Sequence, residues 1–328
     1  MSGNLVERKR RYFKMSLIMV VGDFMIDDYF LCEYMGLHRN APIFKHQQSI
    51  SVPGGAGNVA ANIDSLGESS MLISVLGRTY SDKIPGIFIQ DRSRKTTVKR
   101  RLIMNGQQLL RMDVEDAAPI SVEIENQLIA NIYERISFCD SVVISDHGKG
   151  VITDRICTTL IDLANKMRIP VIVEPKRKDF TVYRWSTVIT TNRKRFSEAI
   201  NIPFQTTPIL ETLGQDGMLL HNLGLKYRIP GIPLHGQTDG TGAGDVVAAA
   251  LAVFMSRYPN AAIYEAAEWA NRAAAISVTK LGTSIVTNEE MKRDCITSPN
   301  GYHDFSGPNV DTDHGESVAS CVYCFGSV

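Results

Sequence analysis

The chain has 328 residues, 44% hydrophobic and 21% charged, with 35 basic and 35 acidic side chains and a formal net charge of zero. There is ample apolar material for one large core or two unequal lobes, so a disordered polyelectrolyte is excluded. Nothing global points to nucleic acid or an anionic membrane as partner.

The N-terminal VERKRRYFK has no apolar stretch behind it before the first strand-like run, so a frayed basic start is expected rather than a secretory signal. SLIMVVG (16–22) is a continuous apolar run ending in Gly-Asp, which suits a buried parallel strand whose carboxyl end meets a site. Residues 29–52 mix aromatics, β-branched residues and turn formers. Helix 54–67 opens on glycines and closes on Gly67, and MLISVLG (71–77) is a second strand. TTVKRRLIMNGQQLLRMD (96–113) alternates like a hairpin around Asn105-Gly106 and, with 29–52, forms a small β-rich flap. There follow helix 120–136, strand 141–145, helix 152–167, strand 171–174, strands 186–190 and 209–214, and helices 242–256 and 261–281. This alternation predicts an α/β fold with a doubly wound, mostly parallel sheet flanked by helices, with ligands at the strands' carboxyl ends, where Asp23, Asp146 and Glu174 stand. The longest apolar runs, 16–22 and 246–255, fall well short of the roughly 20 residues a spanning helix needs. Six cysteines, at 32, 139, 157, 295, 321 and 324, are too sparse for a disulfide framework, so reduced thiols in a cytoplasmic protein are expected.

DGTGAGD (239–245) carries the sharpest chemical signal. A glycine-rich turn running into a helix points unpaired N–H groups and the positive end of the helix dipole at one spot. Gly242, Ala243 and Gly244 can cradle a phosphate there, and Asp245 in the first turn can take a proton from an attacking hydroxyl. The bland alternative is an acid that caps a helix entered by a tight turn.

This run resembles the TGAGD signature of ribokinase-like (PfkB) carbohydrate kinases, whose second signature, a Gly-Gly pair opening an early helix, stands at PGGAGNVAANIDSLG (53–67). GDFMIDDY, RNAPI, QQLLRMD, SDHGKG, EPKRKDFTVYR and NRAAAISVTKLGTS resemble the kinase half of D-glycero-D-manno-heptose 7-phosphate kinase/adenylyltransferases and their stand-alone kinase relatives, over roughly residues 17 to 290. The resemblance implies an ATP- and Mg²⁺-dependent kinase domain over 1–295, with β-lid segments at about 29–53 and 96–113 and a flexible tail over 296–328. It implies phosphorylation of the anomeric hydroxyl of the heptose 7-phosphate to the 1,7-bisphosphate. Asp245 would be the base and Gly242 to Gly244 the anion hole. Asp23, Asp27, Gly54, Gly55 and Asn58 would bind the sugar, with Gly55 also a hinge for the flap. Lys99, Arg101, Arg111, Lys149, Lys176 and Arg184 would supply cations for phosphate, although each alone reads equally as a solvated charge. Asn192, Thr212, Gly214, Gly217, Asn271 and Gly282 would line the nucleotide cleft, and Asp239 with Thr241 would hold a monovalent cation. A homodimer through the lid is implied, and neither nucleic acid nor membrane is expected as a partner.

The chain departs from the pattern in two ways. Relatives carry an N-x-x-E motif whose acid organises Mg²⁺, whereas here Asn192 is followed by Arg193, Lys194 and Arg195; Glu198 is the alternative acid. The segments between Arg78 and Thr96 and between Asn192 and Thr212 are short, as if each omits a helix and a strand, which would expose apolar sheet. These departures keep two other readings open: a catalytically weakened paralogue that binds nucleotide or phosphosugar, and a kinase for another phosphosugar. In the tail, Cys321 and Cys324 with His303 and His314 fit no zinc spacing and read as disordered.

Overall fold

A computed structural model describes residues 15–78, 85–234, 236 and 238–296. The basic N-terminus, most of the tail and its Cys and His residues lie outside them. Strand β1 (Leu17–Gly22) sits near the middle of a nine-stranded sheet in the order β13-β12-β11-β10-β9-β8-β1-β4-β5. Here β4 is Ser69–Leu76, β5 Ile87–Gln90, β8 Ser141–Ser145, β9 Val171–Glu174, β10 Val188–Asn192 and β11 Ile209–Thr212. The seven strands from β5 to β11 are parallel. The antiparallel pair β12 (Gly217–Asn222) and β13 (Leu225–Pro230) finishes the edge.

The chain leaves β1 first toward β4 and β5 and later resumes beside β1 with β8, so the strand order reverses there. In doubly wound sheets that reversal opens a crevice beyond the strands' carboxyl ends. Strand β1 feeds both faces. Ile18 and Val20 join the core under helices α1 (Ala56–Ser65), α5 (Ala243–Arg257), α6 (Ile263–Ser277) and α7 (Asn288–Ile296), whereas Met19 and Val21 join the core under α2 (Val122–Arg135) and α3 (Asp154–Met167). Residues 246–253 of α5 are all buried, as expected for a helix that is apolar all round and has neighbours on every side. Its alanines let it lie against β8, β9 and β10 while α1 and α6 cover it.

The lid is a four-stranded sheet in the order β3-β2-β6-β7, with β2 at Phe24–His38, β3 at Ala41–Gly55, β6 at Thr97–Met104 and β7 at Gln107–Val114. Its hairpin at Asn105-Gly106 has both residues at positive φ, 49° and 76°, as the sequence predicts. A second, longer hairpin turns at Arg39-Asn40, also at positive φ. Strand β2 begins at Phe24, one residue after the site acid Asp23, so the lid starts five residues earlier than expected and runs straight out of the core.

Several elements escape the sequence pattern. The β12–β13 hairpin, absent from the sequence reading, turns at Leu223-Gly224 with positive φ values of 49° and 81°. The Arg78–Thr96 segment does contain a strand, β5, and the sheet there is not bare: Leu128, Ile129 and Ile132 of α2 share a core with Ile73, Val75 and Ile89. Between Asn192 and Thr212 runs a short helix, α4 (Arg193–Glu198), with Phe196 and Ile202 against the core and Ile200 left exposed.

Candidate active site

Helix α5 begins at a turn in which Gly242 has φ 77°, where its missing Cβ leaves room for Asn58 Nδ2, 2.8 Å from the place a Cβ would take. Among the described residues, the amides of Gly242, Gly244 and Asp245 have no hydrogen-bond acceptor, while Ala243 N–H donates to Gly240 O at 3.2 Å. Three free N–H groups at the tip of a 15-residue helix make an anion cradle.

Asp245 belongs to the first turn of α5 and is 6% exposed. Asn58 Nδ2 donates to its Oδ2 at 2.8 Å, and His147 Nε2 faces its Oδ1 at 3.4 Å. Asn58 is itself held by Asn62, whose amide donates to Asn58 Oδ1 at 3.0 Å and to Ser284 O at 3.2 Å and accepts Val286 N–H at 2.9 Å. One face of α1 thus fixes the base and the 284–286 segment together.

Asp23 is fully buried at the carboxyl end of β1, and its carboxylate accepts the backbone N–H groups of His147, Lys149 and Val151 at 2.8, 3.0 and 3.0 Å. It therefore ties down the loop after β8 rather than facing a ligand. Asp146 does the same from within the loop: Gly148 N–H, Arg177 Nε and Tyr183 OH donate to it at 2.9, 2.9 and 2.6 Å. Gly55, at φ 56°, completes the packing, because a Cβ there would meet Asp23 O at 2.6 Å and the His147 ring at 3.1 Å.

On the lid side, Arg101 pairs with Asp27 at 2.5 Å and lies over the Tyr29 ring at 5.3 Å. Thr283 Oγ1 donates to Asp27 Oδ2 and Thr283 N–H to Tyr29 OH, both at 2.8 Å, latching lid strand β2 to the 282–284 loop. The side chain of Asp27 packs on Gly54. Asp239 accepts Thr241 N–H at 2.9 Å, Thr241 OH at 2.6 Å and Gly282 N–H at 2.7 Å. A cavity of about 560 Å³ opens here, lined among others by Tyr29, Arg101, Asp239, Thr241, Lys280 and Gly282.

The electrostatics separate two neighbouring carboxyls. Burial and then the charge of Asp245 push Glu174 up to about 7. Burial also works against the Asp245 charge, but the hydrogen bonds from His147 and Asn58 outweigh it and hold that carboxyl below its ordinary value. Burial likewise opposes charge on His147, yet Asp245, Glu174 and Asp23 together raise its pKa. Ligand atoms of His147, Glu174 and Asp245 lie within 4.8 Å of one another. The trio does not fit resident Mg²⁺, which wants six oxygens in octahedral array: imidazole is the wrong donor and both Asp245 oxygens already face N–H groups.

Other predicted residues lie apart from this centre. Arg111 is exposed and pairs with Asp113 at 2.9 Å, Lys149 Nζ pairs with Glu115 at 2.6 Å, and Arg184 is exposed. Asn192 caps α4 by accepting Arg195 N–H at 2.9 Å, and Glu198 pairs at the surface with Lys178. Asn271 donates to Pro230 O at 2.8 Å, Gly217 packs against Ile229 O, Gly214 is exposed, and Thr212 ends β11 half-buried beside Asn192. Lys99, half-buried on β6, exposed Lys176 after β9 and half-buried Arg195 make no ion pair among the described residues. Lys176 is pulled below its ordinary value by its crowded surroundings, then by Arg195, with Lys99 adding to the effect, so these cations lie close together. His147, Asn62, Tyr29 and Thr283 were not singled out by sequence reasoning; SDHGKG held the only available signal, for His147.

A family model described as pfkB family carbohydrate kinase matches residues 15–291. The chain belongs to the pfkB family of carbohydrate kinases. Curated relatives named bifunctional protein HldE are 36% identical over 299 residues in Campylobacter jejuni (strain RM1221) and 35% identical over 324 residues in Bradyrhizobium diazoefficiens, covering 84% and 87% of this chain. The chain spans only 64% and 63% of the length of these two relatives. Two solved pfkB-like folds superpose on it, each at 18% identity. Phosphofructokinase-2 from Escherichia coli in complex with potassium gives a TM-score of 0.68 over 85% of this chain and 98% of that one. Arabidopsis thaliana ribokinase complexed with ribose and ATP gives 0.63 over 87% and 100%. The large parallel sheet with a small sheet as lid is thus the ribokinase-like fold.

The raised Glu174 carboxyl has a consequence for stability. A pKa lifted from the ordinary 4.5 to about 7 contributes stability present below pH 4.5 and lost as pH rises through 7. Glu174→Gln removes that loss, so urea denaturation should show the variant gaining on wild type between pH 4.5 and 7, by about 3 kcal/mol at most. A difference independent of pH would contradict the assignment.

Proposed function

We propose that residues 1–295 form a kinase domain that transfers the γ-phosphoryl group of ATP to the anomeric hydroxyl of D-glycero-D-manno-heptose 7-phosphate, giving the 1,7-bisphosphate. The observation that supports this best is that the helix tip whose Gly242, Gly244 and Asp245 amides have no acceptor among the described residues also carries, in its first turn, a buried carboxylate held in its ionised form. Phosphoryl transfer asks little of a protein beyond alignment and charge neutralisation. Asp245 accepts the sugar hydroxyl's proton, the hydroxyl oxygen attacks the γ-phosphorus as the bond from it to the β–γ bridging oxygen breaks and ADP leaves, and the α5 amides receive the charge on the transferred group.

Mg²⁺ arrives on the ATP phosphates as part of the substrate, since the described residues offer no oxygen cage for it. Lys99 and Lys176, without an ion-pair partner among the described residues of lid and body, flank the centre and meet the substrates' phosphates, and Arg101 can join them by sharing Asp27. The cavity at Thr241 and Gly282 takes the nucleotide. A monovalent cation beside Thr241 would share the Asp239 carboxylate with three donors already on it. The sugar hydroxyl reaches Asp245 when the Thr283 latch to the lid opens.

Arg195, a cation where relatives carry a metal-organising acid, favours a second reading: a weakened paralogue that binds nucleotide or phosphosugar. An ADP-release assay with the heptose 7-phosphate separates the two. Wild type is expected to turn over and Asp245→Asn to lose about 10²- to 10⁴-fold in kcat with ATP binding retained. Equal inactivity of both proteins, with ATP still bound, would establish the second reading, and turnover only with a hexose or ketose phosphate would reassign the sugar.

No described helix is long and apolar enough to cross a membrane. Dependence on ATP is what favours the cytoplasm as the compartment proposed. The lid exposes Leu37, Ile43, Leu110 and Met112, at 66, 45, 51 and 54%. Such apolar exposure on one small sheet marks an association surface, and the partner proposed is the lid of a second copy. Sedimentation velocity should show a dimer that Leu110→Asp with Met112→Asp converts to monomer; a monomeric wild type at micromolar concentration would refute it.

A further inference from the structure

We propose that His147 is a positioning residue for the base, holding Asp245 by Oδ1 while Asn58 holds it by Oδ2, so that the carboxylate presents a fixed edge to the substrate hydroxyl. This rests on the kinase reading given above, in which Asp245 is the base.

The placement of the ring is over-determined. Its backbone N–H is bound by Asp23 at 2.8 Å, and its Nε2 lies 3.0 Å from Ser145 Oγ and 3.4 Å from Asp245 Oδ1. Its Cδ2 edge fits against Gly55 where any side chain would press on it. Four elements therefore converge to aim one imidazole: the end of β1, the end of β8, the β3–α1 junction and the first turn of α5. A loop fastened by three amides to one buried carboxylate is a rigid mount, which is what orienting a catalytic group requires. The side chain is 12% exposed and the Asp245 side chain 8%, so the contact is shielded from water and stronger than a surface pair.

The charged groups around the ring are Asp245, Glu174 and Asp23, while Lys176 and Arg195 act on Glu174 and on each other from the β9 and α4 side. The charged groups acting on the ring are all acidic, which keeps a proton on it, and its Nε2 lies between Ser145 Oγ and Asp245 Oδ1. With that donor in place Asp245 remains ionised; without it, the carboxylate keeps only Asn58 and its contact with Glu174, and the carboxyl protonates more readily.

The test compares His147→Phe with His147→Gln, whose amide can place a donor near the Nε2 position. Phe is expected to lower kcat about 10- to 100-fold with KM for ATP unchanged, and to move the acid limb of the kcat–pH profile upward, because Asp245 then ionises less readily. Gln is expected to restore kcat to within a few-fold and to bring the limb back. A fall in kcat with an unshifted limb, or no rescue by Gln, would reduce His147 to a packing residue and overturn the proposal. A second measurement does not depend on turnover. In ¹⁵N NMR of the wild-type chain, Asp245→Asn should shift the His147 ring nitrogens and lower their titration midpoint. If those signals are indifferent to Asp245→Asn the pairing is refuted, whereas an intact pairing in a chain that phosphorylates no sugar would remove the kinase reading and leave the contact standing.

Discussion

A carboxylate kept ionised inside the protein is the constraint on which the rest of the site depends. Moving a charge out of water is costly unless N–H donors replace the lost solvent. Asp245 has such donors on both oxygens, from Asn58 on α1 and His147 on the loop after β8, and it sits at the positive end of α5. Each donor is itself fixed, Asn58 through Asn62 and His147 through Asp23. The geometry at the reacting centre is therefore delegated to residues that touch no substrate.

The fold explains why these parts meet. Strand order reverses at β1, so the carboxyl ends of β1, β8 and β9 open onto one crevice and deliver Asp23, Asp146 and Glu174 to its floor. The alanine-rich α5 crosses that floor with its N-terminus over Glu174, close enough that Gly244 could carry no side chain: a Cβ would stand 2.5 Å from Glu174 Oε1. Two carboxyls pressed together then split their roles, Asp245 staying ionised while Glu174 takes up its proton near neutrality. The lid grows from the same place, since β2 begins one residue after Asp23, so lid movement and the catalytic floor share a covalent root.

What could be read in the sequence was local. Apolar runs ending in Gly-Asp, the Asn105-Gly106 turn and the glycine-opened helices each carry their signal within a few residues, and the parallel sheet, the helices and the lid follow from them. The site was legible only as a set of candidates, because its pairings are remote. Asn58 meets Asp245 across 187 residues and Thr283 meets Asp27 across 256. No spacing rule reveals that Asp23 would be consumed by backbone amides or that Arg101 would pair with Asp27, and a half-buried histidine in a Gly-rich loop looks like any turn residue. The shortened segments misled in the opposite sense. They suggested bare sheet, yet α2, arriving from later in the chain, covers β4 and β5.

The central claim is that the tip of α5 receives the phosphoryl group in flight. A crystal structure of the protein with ADP, Mg²⁺, aluminium fluoride and the heptose 7-phosphate tests it most directly, because the metal fluoride takes the place and charge of the transferred group. The account requires the fluorides within hydrogen-bond distance of the Gly242, Gly244 and Asp245 amides, with the sugar's anomeric oxygen against Asp245. Fluorides held by Lys176 and Arg195 alone, with the α5 amides unengaged, would contradict it.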